Sequence, residues 1–293
     1  MWTGFGSHAF ATRPAHVDLG VVATREPDAV SFIALGDAGE RTPHLDRVAA
    51  SIMTWCGSHP CDFGVLLGDN LYPRGPASAD DPRMDEVIAP LTRGGLVWYA
   101  VLGNHDYGDS TMESHAANEL AWARKRTDFV LPSPTYTFAA GPARFAAIDT
   151  TDIFWYGDGK QADFLDSLPD DRPVHVLLGH HPYRSDGPHG NAGAYQGLPG
   201  VPWLSGGALE RFYEQQVCGR FALVLTGHDH VRERIDTCGS AFVISGAAAK
   251  PTRVVGHGNT PAFVTANPGF VWVQIRGKDV TIAFVDENGV QDG

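Results

Sequence analysis

A four-layer α/β/β/α sandwich, two mixed sheets flanked by helices, is the fold class that three features of the sequence predict. Five short apolar runs each stop at a glycine followed by a polar cluster, helical patterns fall between them, and the last third is rich in strand-like segments. Runs of four to six residues dominated by Val, Leu, Ile and aromatics suit strands buried on both faces. Strands alternating with helices indicate α/β, and the β-rich close indicates a second sheet packed on the first.

In chain order, FIALGDAG ends its run at Gly36 and Asp37. His44–Trp55 follows, with Leu45, Val48, Ile52 and Trp55 three or four residues apart, the period of an amphipathic helix. VLLGDNLY carries Asp69, Asn70 and Tyr72, and WYAVLGNHD carries Asn104, His105 and Asp106. Met112–Arg126 and Lys160–Leu168 read as helices on either side of a β run at Arg144–Ile148. VLLGHHPY carries His180 and His181, Ala208–Val217 reads as a helix, and ALVLTGHDH carries His228, Asp229 and His230. Ala241–Ser245, Phe270–Arg276 and Val280–Asp286 complete the strands, the last two as a hairpin around Gly277-Lys278-Asp279. No linker or repeat divides the chain, so 1–293 reads as a single domain, with 1–28 an irregular N-terminal extension.

A formal net charge of −12 argues against nucleic acid or an anionic membrane face as a partner, since both require a basic surface. Arg124-Lys125-Arg126 is too short to change that. No apolar run approaches the ~18 residues of a membrane span. The opening MWTGFGSHAFATRP lacks the basic and apolar regions of a signal peptide, as would a form whose leader had been removed. Cys56/Cys61 and Cys218/Cys238 form two local pairs without zinc-finger spacing, leaving buried thiols and disulfides equally open. The compartment stays open with them.

Ligands in open α/β sheets gather beyond the carboxyl ends of strands, where all five polar clusters fall. Asp37, Asp69, Tyr72, Asn104, His180, His228 and His230 are all potential metal ligands, too many for one tetrahedral ion. They suit two ions sharing a bridging carboxylate, the arrangement that clamps both oxygens in phosphoryl transfer. GD and GDN alone have a plainer reading as a turn or cap, whereas GNHD and GHDH fit no simple turn requirement, and independent turns do not generate all five in this order.

In that order, GD, GDN, GNHD, GH and GHDH resemble the motifs of the calcineurin-like metallophosphoesterases, over about two-thirds of the chain. Most branches read GD-x-H at the first motif, where this chain has Gly36-Asp37-Ala38-Gly39. Tyr72, three residues after Asp69, marks the purple acid phosphatase branch. The length, LPSPTYTF (Leu131–Phe138) and LGHHPYRSDGPHG are similar to its tartrate-resistant acid phosphatase subgroup.

That resemblance implies a ferric ion held by Asp37, Asp69, Tyr72 and His230. It implies a divalent ion, Fe(II), Zn or Mn, held by Asp69, Asn104, His180 and His228. It implies hydrolysis of phosphomonoesters by a metal-bound hydroxide, with His105 and His189 on the substrate phosphate and His189 protonating the leaving alkoxide. His181 stands where the subgroup usually has Tyr and is not counted as a ligand. The charges agree: two carboxylates and a phenolate favour a trivalent cation, whereas neutral amide and imidazole donors suit a divalent one. An acidic pH optimum and a phosphorylated small-molecule substrate follow, with an extracytoplasmic or secreted location favoured by the family.

Asp106 and Asp229 are expected to orient imidazoles, and Asp149 to do so or to serve a turn. The aromatics of Ile153–Tyr156 and Tyr183 fit a substrate cleft or the core. His8, His16, His44, His59, His115, His175 and His257 match no motif and read as surface or packing residues. A phosphodiesterase using the same site, and a non-enzymatic phosphate- or metal-binding protein, are the alternatives.

Overall fold

The computed structural model describes residues 16–108, 114–157, 159–195 and 205–293. Its strands are β1 (Val17–Val22), β2 (Ala29–Leu35), β3 (Phe63–Leu67), β4 (Trp98–Val101), β5 (Phe129–Val130), β6 (Tyr136–Ala140) and β7 (Ala143–Ala147). They continue with β8 (Val174–Leu178), β9 (Leu223–Thr226), β10 (Arg232–Thr237), β11 (Ser240–Ser245), β12 (Phe263–Thr265), β13 (Gly269–Arg276) and β14 (Asp279–Asp286). The helices are α1 (Pro43–Ser58), α2 (Pro82–Thr92), α3 (Asn104–Tyr107), α4 (Ser114–Ala123), α5 (Thr150–Tyr156), α6 (Gly159–Asp166) and α7 (Gly207–Phe212).

Two mixed sheets result. One runs β14-β13-β2-β3-β4-β5, with β2 to β5 parallel and the β13–β14 hairpin antiparallel at its edge. The other runs β1-β6-β7-β8-β9-β11-β10-β12, parallel from β7 through β8 and β9 to β11. Phenylalanines fill the space between them. Phe32 and Phe63 of the first sheet meet Phe145 of the second at ring distances of 5.2 and 5.6 Å, and Phe138 stacks on Phe145 at 4.7 Å. Buried Leu45, Val48 and Ile52 seat α1 on the first sheet, while α5, α6 and α7 cover the outer face of the second. The four-layer expectation holds.

Several boundaries differ from the sequence reading. Val17–Val22, inside the expected irregular extension, is a strand pairing in parallel with β6. The helix expected over Met112–Arg126 ends at Ala123, and Met112 lies outside the described residues, as does His8. Ala208–Val217 divides into α7 and a π-helical turn over Tyr213–Val217, so its apolar spacing survives without one regular helix. α2 carries an interior proline, Pro90, which hides its period; Asp81 caps it by accepting from the Arg83 N–H at 3.1 Å. Both cysteine pairs are disulfides. Among the described residues no helix is long and apolar enough to cross a membrane.

Where β2 ends, the sheets touch. The Gly36 N–H donates to the Ser245 carbonyl at 2.7 Å, and the Ser245 hydroxyl donates to the Ala34 carbonyl at 2.8 Å. That seam aligns the carboxyl ends of β2, β3 and β4 with those of β8 and β9.

Candidate metal centre

At the seam each strand delivers one polar cluster, and glycine makes the close approach possible. A Cβ on Gly103 would run into the Asp69 carboxylate, and one on Gly227 into that of Asp37. Asp37, Asp69 and His228 themselves have φ of 57°, 53° and 68°, a conformation side chains avoid unless their surroundings impose it. Three non-glycine residues in this strained conformation stand beside one another at the seam.

Two sets of donor atoms form. The Tyr72 hydroxyl lies 3.0 Å from Asp37 Oδ1, 2.9 Å from Asp69 Oδ2 and 3.1 Å from His230 Nε2. His230 Nε2 is in turn 3.3 Å from Asp37 Oδ1. In the second set Asn104 Oδ1 lies 3.2 Å from His180 Nε2 and 3.0 Å from His228 Nδ1, and His180 Nε2 is 3.4 Å from Asp69 Oδ1. One oxygen of Asp69 therefore faces each set.

The chemistry of these sets fits cations. Asp37 and Asp69 are buried, and among the described residues neither carboxylate has a lysine or arginine within ion-pair distance. The Tyr72 hydroxyl has one proton for two carboxylate oxygens and an imidazole nitrogen. Lone pairs facing one another in a dry pocket need a positive charge between them. Burial pushes the Tyr72 phenol well above its ordinary pKa, and the charges of Asp37 and Asp69 add to this. Burial pushes His228 well below its ordinary value, with His181, His189 and His180 assisting, which leaves the neutral imidazole a metal requires. His180 moves the other way: burial opposes protonation, but the Asp69 carboxylate raises it to about 9.

His180, His105, His228 and His181 are each aimed by a partner on a ring nitrogen or a ring face. His180 Nδ1 meets the Leu67 carbonyl at 2.7 Å, and His105 Nδ1 meets that of Pro73 at 2.6 Å, turning His105 Nε2 to 4.0 Å from Asp69 Oδ2. The His189 ring lies against His228, centroids 4.2 Å apart. His181 lies tilted against the same ring at 4.3 Å while its Nδ1 meets the Thr150 hydroxyl at 2.9 Å.

Asp106 and Asp229 do not orient imidazoles, as their places beside histidines suggest. Asp106 accepts backbone N–H groups from Asn70, Leu71 and Gly103 at 2.8, 3.1 and 2.8 Å, tying the GDN turn to the GNHD turn. Asp229 accepts those of His189 and Gly190 at 2.8 and 3.2 Å. Carboxylates at tight turns serve free N–H groups before neighbouring rings. Asp149 caps α5 and takes the Tyr107 hydroxyl.

The segment carrying His189, Ser185-Asp186-Gly187-Pro188-His189-Gly190, is pinned throughout. Besides Asp229, Glu233 accepts the Asp186 N–H at 2.9 Å, and the Asp186 carboxylate accepts the His257 N–H at 2.7 Å. His257 Nε2 meets the Gly187 carbonyl at 2.8 Å, so that histidine packs under the loop.

Burial raises Glu233 to about 8, with Asp186 and Asp229 adding repulsion. An acid raised in the folded state contributes stability that is complete below its unfolded value of 4.5 and is lost as pH rises towards about 8. Wild-type stability is therefore expected to fall across that window by an amount that Glu233→Gln removes. Urea unfolding of both proteins at pH 5 and pH 8 checks this; parallel curves would refute it.

Two contributors were missed by sequence reasoning. Thr150 accepts the N–H groups of His180 and His181 at 3.2 and 3.0 Å, and only its place after a strand-like run pointed to it. Lys250 sets its ammonium 4.3 Å from the Tyr72 ring centroid and pairs with Glu40, with no motif around it.

Residues 30–232 match the family described as Calcineurin-like phosphoesterase. Purple acid phosphatase 4 of Arabidopsis thaliana is 26% identical over 296 residues, covering 90% of this chain and 82% of its own. Tartrate-resistant acid phosphatase type 5 of Sus scrofa is 25% identical over 307 residues, covering 88% and 84%. Among solved structures, "GAP50 the anchor in the inner membrane complex of Plasmodium" superposes with a TM-score of 0.70 at 19% identity, covering 88% of this chain and 85% of that one.

Proposed function

The chain belongs to the calcineurin-like phosphoesterases, whose reaction is phosphoester hydrolysis, and from that premise we propose that it is a dinuclear-metal acid phosphatase acting on phosphomonoesters. The single observation that carries this reading is the Asp69 carboxylate, with one oxygen turned to each of two donor sets.

Asp37, Asp69, Tyr72 and His230 would hold a ferric ion; Asp69, Asn104, His180 and His228 would hold Fe(II), Zn or Mn. Such a pair supplies Lewis acidity towards the phosphoryl oxygens and activates water. His105, with Nδ1 engaged by Pro73, directs Nε2 at the substrate phosphate. His189, its backbone held by Asp229, delivers a proton to the leaving alkoxide. Asp106 fixes the distance between Asp69 and the Asn104–His105 turn. The donor sets rather than the shape support an enzyme, since the fold alone also occurs in a protein titled as an anchor. The two disulfides favour an extracytoplasmic location, where such bonds persist.

Turnover tests the reaction. The metal-loaded protein is expected to hydrolyse para-nitrophenyl phosphate at least ~10-fold faster than bis(para-nitrophenyl) phosphate, and a chelator should abolish both rates. Preference for the bis ester would make it a phosphodiesterase; turnover of neither would leave a binding protein. For the ferric assignment, the expected tyrosinate-to-iron absorption band should vanish in Tyr72→Phe while circular dichroism stays unchanged. A colourless, fully loaded wild type would remove iron(III).

A further inference from the structure

Helix α5 forms part of the rim, and its second half has no role in the reaction proposed above. Its start is bound to the centre through Asp149, which takes the hydroxyl of Tyr107, three residues beyond Asn104. Core packing claims Ile153, fully buried, and also Tyr183, 6% exposed. Phe154 faces the site: its ring stacks on His181 at 5.6 Å and 22°, and His181 lies 4.3 Å from His228. Tyr195 completes this wall, 6.3 Å from Phe154 and 6.0 Å from His228. Trp155 then meets Phe154 edge-on at 5.0 Å.

Trp155 is 46% exposed and Tyr156 beside it 63%, whereas Trp98, Trp122 and Trp272 are all at least nine-tenths buried. A continuous series of rings thus leads from the donor cluster to an indole held at the surface. Packing accounts for Phe154 but not for an indole left half in water three ring contacts from His228. Flat rings stack on exposed indole faces, and the gain is tolerant of which ring it is.

We propose that Trp155 is a platform for the leaving group, so that the site selects phosphomonoesters whose alcohol carries a flat aromatic ring system. This rests on the phosphatase reading and names its substrate class. The platform touches the leaving group away from the reacting atoms, so it binds ground and transition states alike and acts on KM rather than kcat.

The test compares esters matched at the scissile oxygen. Adenosine 5′-monophosphate and ribose 5-phosphate share a primary alkoxide and differ by the base; benzyl and cyclohexylmethyl phosphates differ by the flatness of the ring. Wild type is expected to favour the aromatic member of at least one pair about 10-fold in kcat/KM, the size of one modest stacking contact. Trp155→Ala should bring that ratio near one by raising KM at constant kcat, and Trp155→Phe should keep most of it. The pair that responds separates a nucleoside from a simple aryl group. Ratios near one in wild type for both pairs, or an equal loss on both members in Trp155→Ala, would overturn the platform. Absence of turnover on all four esters would instead defeat the phosphatase reading. Calorimetric affinities for the same esters then carry the comparison, and equal affinities within both pairs would overturn the platform on their own.

Discussion

Asp69→Asn is expected to leave the protein folded and lower kcat/KM on para-nitrophenyl phosphate at least about a thousand-fold, with loss of bound metal. The substitution keeps the side chain's shape and one acceptor for the His105 N–H, which Asp69 Oδ1 receives at 2.9 Å. It removes the negative charge and replaces one of the two donor oxygens by an amide nitrogen, which has no lone pair to offer a metal. It also removes the charge that keeps His180 protonated from 3.4 Å away, so the thermal midpoint without metal should fall modestly at neutral pH. Element analysis, kinetics and a melting curve on one preparation read all three effects. An Asp69→Asn protein with full metal content and near-normal turnover would contradict the shared-carboxylate arrangement.

Asp106→Ala should destabilise strongly and inactivate through geometry. Its carboxylate is fully buried and receives three backbone N–H groups, from Asn70, Leu71 and Gly103. Each orphaned buried N–H costs about 1–3 kcal/mol, and water entering the hole recovers part of that. A net loss of about 3 kcal/mol or more in urea unfolding is the expected result. The Asn104–His105 turn loses its tether to the Asp69 loop, so turnover should fall even where the variant remains folded. A variant as stable as wild type would mean that the two turns are held elsewhere. Asp106→Asn should lie between the two, because it keeps an acceptor on only one side.

What could be read without coordinates was set by local chemistry. Gly36, Gly68, Gly103, Gly179 and Gly227 end apolar runs because a buried strand must stop where its backbone turns past another, and the polar residue after each turn has only the rim to occupy. His228 and His230 were legible as a pair, their divergence to two ions only through the family resemblance; the positive φ of His228 sends its Nδ1 to Asn104 while His230 reaches Tyr72. Asp106 and Asp229 misled because adjacency to a histidine resembles ring support, whereas all but one of the N–H groups that claim them lie about 35 to 40 residues away. β1 was hidden because an exposed edge strand lacks apolar alternation, and its register is supplied by β6. The stiffness of the His189 loop was hidden too, since its anchors on Glu233 and His257 are contacts across distant sequence.

Anomalous diffraction from crystals of the metal-loaded protein, recorded at the absorption edges of iron, zinc and manganese, probes the central claim most directly. Two peaks about 3.5–4 Å apart are predicted. One should lie among Asp37 Oδ1, Asp69 Oδ2, the Tyr72 oxygen and His230 Nε2, the other among Asp69 Oδ1, Asn104 Oδ1, His180 Nε2 and His228 Nδ1. A single peak in saturated crystals, or a pair that Asp69 does not join, would contradict it.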